Sequence, residues 1–177
     1  PVNEPVLGYL PGSPERAELK AELLRQSAEV IEIPCIINGV EVYTDNVVEQ
    51  VMPHNHSHVI ARVHMAGEQE VNNAINAALS AHKKWSTMPW EARAAIFLKA
   101  SELLKGEYRA KINASTMINQ SKTCHQAEID SACELIDFWR FNVQYAREIY
   151  EDLQPPVSPS SMSVSYTHLT LPTIAGV

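Results

Sequence analysis

Glycine is scarce in this sequence, six in 177 residues, and none of the six builds a phosphate-cradling loop. Neither G-x-G-x-x-G nor G-x-x-x-x-G-K occurs, so no local motif places a nucleotide. Cysteine is equally sparse. Cys35, Cys124 and Cys133 are odd in number, widely spaced and without a Cys-x-x-Cys pair. That excludes a disulfide framework or structural zinc knuckle as the organising principle and fits a reducing compartment. Basic residues are outnumbered, with 14 Lys and Arg against 21 Asp and Glu, a net charge of -7. A nucleic-acid backbone needs clustered cations, and the longest basic cluster is Lys83-Lys84, so no nucleic-acid partner is expected. No apolar run approaches the ~20 residues that span a bilayer, and no stretch has a signal peptide's charged start and apolar centre. The expectation is a soluble protein without a membrane partner.

What remains suffices for one domain. With 45% hydrophobic residues, a folded chain of this length buries roughly 70% of its extended surface. The first residue is Pro1 rather than Met, which suggests that the natural start, with any targeting peptide, lies upstream. The other end changes character after Leu153. Residues 154–177 hold four of the eleven prolines, five serines and no charged side chain. Such a composition cannot supply a packed core, and the end looks cut rather than finished.

The first ten residues read as an extended arm. Ser13-Pro14-Glu15 then offers a helix N-cap, a proline at the first helical position and an acidic first turn, predicting a helix to about Ala28. Residues 31–65 turn to short β-rich runs. Asn38-Gly39 is a type I′ turn signal between strands 33–37 and 40–44. A second pair, 47–52 and 59–65, flanks a loop at 53–58, giving two antiparallel hairpins. From Gly67 the pattern is helical. Val71, Ala74, Ile75, Ala78, Leu79 and Trp85 mark one helix face, ended by Met88-Pro89. A second helix, lined by Ala92, Ile96, Ala100, Leu103 and Leu104, runs from near Pro89 to Gly106. A third covers 107–120, and a long one covers 126–153.

That last helix holds the most informative stretch, residues 126–142. Ile129, Ala132, Cys133, Ile136 and Trp139/Arg140 recur at helical spacing, which puts Glu128 and Asp137 at the margins of a buried face. A carboxylate near a packing seam is costly unless paired or put to use. The plainer reading is a solvated helix edge. Other candidates are weaker. His54, His56 and His58 could complete a zinc or copper site, but a polar hairpin turn explains them as well, and a loop offers metal ligands little rigidity. Cys124 beside His125 has the look of a nucleophile with its base, yet neighbours in sequence rarely aim at each other, so a helix N-terminal thiol is the simpler account. Cys133 reads as core. The residues thus yield no catalytic group, no cofactor-binding residue and no metal site.

Three blocks together resemble the aldehyde dehydrogenase superfamily: the helix ending in Lys84-Trp85, the run RAAIFLKA at 93–100, and the final long helix. NEPVLGYLPGSPER at 3–16, PHNHSHVIARV at 53–63 and QAEID followed by ELIDFWRFN are similar to the 1-pyrroline-5-carboxylate dehydrogenase branch. The resemblance covers about residues 2–159. It implies an NAD-dependent enzyme of proline catabolism in the mitochondrial matrix, a homodimer or higher oligomer, oxidising L-glutamate γ-semialdehyde to L-glutamate. It also implies that Glu128 lies close to the substrate pocket, with its helix forming part of the wall.

On this reading residues 1–159 are an incomplete amino-terminal portion of the cofactor-binding domain. Residues 160–177 are a non-native or disordered tail, in which SVSYTHLTLPT looks like translated adapter sequence. The expected fold is α+β, an extended arm, two hairpins and four to five helices, the amino-terminal part of the α/β aldehyde dehydrogenase fold. The nucleophile, the oxyanion donors, the water-activating carboxylate and most of the cofactor site lie downstream in the family, so the chain alone is expected to be inactive and to bind NAD poorly. The alternative is a short non-catalytic isoform that binds full-length subunits. Helix faces around Ile96 and Ile136 are expected to be partly bare, with poor solubility or a molten state in isolation.

Overall fold

The structure is a computed structural model that describes residues 1–151; the end of the long helix at Leu153 and the stretch 154–177 lie outside the described residues. The arm of residues 1–13 is followed by α1 (Pro14–Ala28), which opens as expected with Pro14 at the first position and Glu15 in the first turn; Ser13 takes the cap position, but its hydroxyl makes no capping hydrogen bond. Leu19 is its buried residue, and α1 packs chiefly on α4 (Arg109–Gln120).

The β region is built from five short strands, β1 (Ile31–Ile33), β2 (Cys35–Ile37), β3 (Val40–Val42), β4 (Val47–Met52) and β5 (Asn55–His64). Both expected hairpins form, β2 with β3 and β4 with β5, each antiparallel. Asn38 and Gly39 have φ of 52° and 76°, the positive pair that a type I′ turn requires. Two details differ from the sequence reading. The run 33–37 splits at Pro34, because proline has no N–H for the ladder; β1 instead pairs parallel with β5, Ile31 opposite Ala61. The expected loop at 53–58 shrinks to a turn at Pro53 and His54, since β5 begins at Asn55 and pairs it with Met52 through a bulged register.

Gly39 tests the hairpin directly. A Cβ there would meet nothing within 4 Å, so Gly39→Ala carries only the backbone cost of a left-handed residue, about 1–2 kcal/mol. The expected result is a correspondingly lower urea midpoint, and an unchanged midpoint would show that this hairpin lies outside the cooperative unit.

The helical part comprises α2 (Glu68–Thr87), α3 (Trp90–Lys105), α4, a short α5 (Cys124–Ala127), a π-helical segment (Glu128–Cys133) and α6 (Glu134–Glu151), the last three continuous. Counted as one bent helix, they make five helices among the described residues, in line with the expected α+β fold. Thr123 caps α5 by accepting from the Gln126 amide. The apolar stripe of α2 touches β2 and α3 but is left largely in water: Val71, Ile75 and Leu79 are each at least half exposed, at 50%, 52% and 69%. Ile96 on α3 is likewise 50% exposed, whereas Leu104 is buried. The expected bareness around Ile136 is wrong, because Ile136 is fully buried in the layer that holds the arm. The chain divides into two units, Pro1–Val143 and Gln144–Val177. In the second, the described end of α6 carries the i,i+4 pairs Gln144 with Glu148 and Arg147 with Glu151.

Candidate functional site

Glu128 stands at the centre of a buried polar cluster that the π turn creates. In that turn the Glu134 amide bonds Ile129 O, five residues back, which brings Glu128 and Cys133 onto one side of the helix. On an ordinary α-helix they would point to different faces. Helical periodicity therefore misplaced Glu128: it is not a solvated edge but a carboxylate with no exposure at all.

The opposing surface is a polar stripe on α4. Arg109, Asn113 and Thr116 recur at i, i+4 and i+7, and all are buried. Arg109 donates to Glu128 through Nη2 and, at 3.3 Å, through Nε. Asn113 Nδ2 donates to Glu128 Oε2 at 2.8 Å, and the Thr116 and Ser131 hydroxyls are 2.7 Å apart. The arm closes the remaining side. The Leu7 amide donates to Glu128 Oε1 and the Tyr9 hydroxyl to Oε2, both at 2.8 Å. Tyr9 reaches inward from a backbone with φ of 51°, a strained setting for a bulky side chain. It is held there by its hydroxyl and by Arg16 Nη1, which donates to its carbonyl at 3.0 Å.

A second carboxylate extends the network. Glu4 accepts from Arg109 Nη1 at 2.6 Å and Arg140 Nη1 at 2.8 Å, and Arg140 Nη2 reaches Glu102 at 3.0 Å near the surface. Arg109 Nη2 also donates to Pro5 O at 2.8 Å. Asp137 holds the start of the arm, accepting from the Glu4 amide at 2.7 Å and Asn3 Nδ2 at 2.8 Å. Within the seam two carboxylates thus meet two guanidiniums. Balanced, multiply bonded charge is the condition under which ions survive burial.

Each ionisation follows from these contacts. Burial disfavours the Glu128 charge, but donation by Arg109, the Leu7 amide and Tyr9 outweighs it and lowers the pKa. Burial likewise opposes the Arg109 charge, and Glu128 and Glu4 overcome it, so the guanidinium is held more firmly protonated. Desolvation and then Glu128 push the Tyr9 phenol upward. Burial followed by the Glu128 charge raises the Cys133 thiol to about 11. Cys124 is raised by burial as well. A nucleophilic thiol needs the reverse shift, so neither cysteine has the character of one.

The remaining candidates are dispersed. His54 Nδ1 meets Ser121 Oγ and a ring nitrogen of His58 meets Ser27 O, each at 2.8 Å. Among the described residues no three His, Cys, Asp or Glu side chains form a group that could hold a metal ion. Cys35 Sγ donates to His64 O at 3.2 Å. Glu4, Tyr9, Arg109 and Asn113 went unread in the sequence. The available signal was the polar spacing of α4, since Glu4 and Tyr9 reach their partners across more than a hundred residues.

The pattern that defines the Aldehyde dehydrogenase family matches residues 41–170. The chain belongs to the aldehyde dehydrogenase family. It is similar to the delta-1-pyrroline-5-carboxylate dehydrogenase of Agaricus bisporus, 49% identical over 89% of this chain and 29% of that protein. It is similar also to the mitochondrial human enzyme of that name, 48% identical over 94% of this chain and 30% of that protein. Among solved structures it resembles the Mycobacterium tuberculosis delta-pyrroline-5-carboxylate dehydrogenase bound with NAD and cobalamin. The TM-score is 0.86, with 45% identity over 90% of this chain and 29% of the other. The aldehyde dehydrogenase chain thus spans about three tenths of the length of the relatives it matches.

The described residues do not fit a nicotinamide dinucleotide. A pyrophosphate wants free amides at a glycine-rich strand-to-helix junction. Among the described residues the one such junction is Gly67, between β5 and α2, and the Glu70 carboxylate already takes its amide at 2.9 Å. A second anion there would meet like charge.

Proposed function

We propose that this chain is the amino-terminal part of an NAD-dependent dehydrogenase that oxidises L-glutamate γ-semialdehyde to L-glutamate in proline catabolism, and that the chain alone does not turn over substrate. The observation that carries the reading is 42–49% identity, over nearly the whole chain, to proteins named delta-1-pyrroline-5-carboxylate dehydrogenase in fungi and mammals. Aldehyde oxidation needs a thiolate, oxyanion donors, a carboxylate to activate water and a bound nicotinamide. The shielded thiols and occupied Gly67 amide described above supply none of these. Residues 1–159 are then an incomplete portion of the cofactor-binding domain, and the family pattern runs on to residue 170. NAD and homo-oligomerisation belong to the complete enzyme, whose proposed place is the mitochondrial matrix; the human, bovine and mouse relatives are named mitochondrial, which supports the organelle.

Glu128 fits this picture as a positioning residue. Its oxygens are engaged by the arm and α4, so it shapes the helix that would wall the substrate pocket. In the assay that tests the reading, purified chain is mixed with NAD and the semialdehyde while absorbance at the NADH band is followed. The expected trace equals the enzyme-free control. Extending the transcript past the codon for Leu153 and expressing the longer product is expected to restore turnover. Reduction of NAD by the chain itself, or an extended product that ignores the semialdehyde, would overturn the proposal.

A further inference from the structure

A cavity of about 370 Å³ opens between the arm, α1, α4 and α5, bordering the Glu128 cluster through Leu7 and Tyr9, which line it. Its floor is apolar: Leu7 from the arm, Leu19 and Leu23 from α1, and Met117 from α4, with the Cys124 thiol on one wall. Its lining also includes three basic side chains, Arg16, Lys20 and His125. Such a gathering is notable in a chain of net charge -7. Among the described residues the Lys20 and His125 side chains have neither a hydrogen bond nor an ion pair, and Arg16 spends one nitrogen on the Tyr9 carbonyl. The acid beside Arg16 in sequence, Glu15, does not line the cavity. Glu128 lies behind Tyr9, bonded to Arg109.

We propose that this cavity is a binding site for a small aliphatic monocarboxylate, its chain on the leucine and methionine floor and its carboxylate among Arg16, Lys20 and His125. Pockets for small molecules pair an apolar lining with a few placed polar groups, at volumes of roughly 300–1,000 Å³. The charges of Arg16 and Lys20 beside an apolar floor favour an amphipathic anion over a neutral ligand. The site is independent of the dehydrogenase reading, and no covalent step is involved.

The test uses the full 177-residue chain with octanoate as probe, followed by calorimetric titration and by the rate at which N-ethylmaleimide labels Cys124, read by mass spectrometry. Saturable binding is expected, with labelling of Cys124 slowed several-fold and labelling of Cys35 unaffected. Each methylene removed weakens binding by about fourfold, so hexanoate binds more weakly by at least tenfold. Lys20→Gln and Arg16→Gln each weaken octanoate several-fold; Lys20 has no partner to lose, so its variant keeps the parent circular dichroism. Absence of saturable binding, octanol binding as tightly as octanoate, or an unaltered affinity in Lys20→Gln with Arg16→Gln would each overturn the proposal.

Discussion

Replacing Arg109 with methionine is expected to lower the stability of this chain by about 3–5 kcal/mol, because it strands buried charge. Arg109 is the hub of the seam: it serves Glu128, Glu4 and Pro5 O. Methionine fills much of its volume but removes every donor, leaving Glu128 with no exposure and no guanidinium. Domains of this size rest on a margin of about 5–15 kcal/mol, so the arm should detach and the urea midpoint fall sharply. A double change discriminates this mechanism from lost packing. Arg109→Met with Glu128→Gln removes one charge of each sign and leaves Glu4 paired with Arg140. The glutamine still accepts from the Leu7 amide or Tyr9. It should recover part of the loss, about 1–2 kcal/mol. A single variant within about 1 kcal/mol of the parent would show that the cluster does not hold the arm.

Acid should unfasten the same seam. The Glu128 carboxyl is held below its ordinary value, so as pH falls the unfolded chain takes up a proton on this residue before the folded chain does. Its contribution to stability is then complete above the ordinary glutamate range, about 4.3, and is lost as pH falls through the lower folded value. Denaturation profiles between pH 7 and pH 3 should show stability falling steeply in the acid limb. Glu128→Gln, already neutral, should start lower and fall less. Parallel profiles for the two proteins would mean that Glu128 does not carry the acid dependence.

The exposed faces of α2 and α3 bear on how these measurements are read. Val71, Ile75, Leu79 and Ile96 leave apolar surface in water, consistent with a chain that spans about three tenths of its relatives' length. A molten state would be expected to blunt the cooperativity of every transition, whereas Ile136, Ala114 and Ala132 are fully buried and mark where cooperative structure should persist. A sharp cooperative melt would contradict the expected molten state.

Local chemistry determined much of the architecture in advance. Ser13-Pro14-Glu15 starts a helix because the fixed φ of proline and the acidic first turn act within four residues. Asn38-Gly39 turns a hairpin because only such residues accept positive φ at low cost. The helix spacing of Ala132, Cys133 and Ile136 correctly gave the buried face. The family was legible too, since whole blocks of sequence carry it. Tertiary structure decided the site. Nothing near Glu4 or Tyr9 signals that an arm more than a hundred residues away in sequence will dock on α4 and the π segment, and nothing in a 3.6-residue period reveals a π turn. Burial then set the chemistry: two carboxylates that sequence reasoning would leave in water lie in a low-dielectric seam, where ionisation depends on the guanidiniums and amides brought to them by the fold.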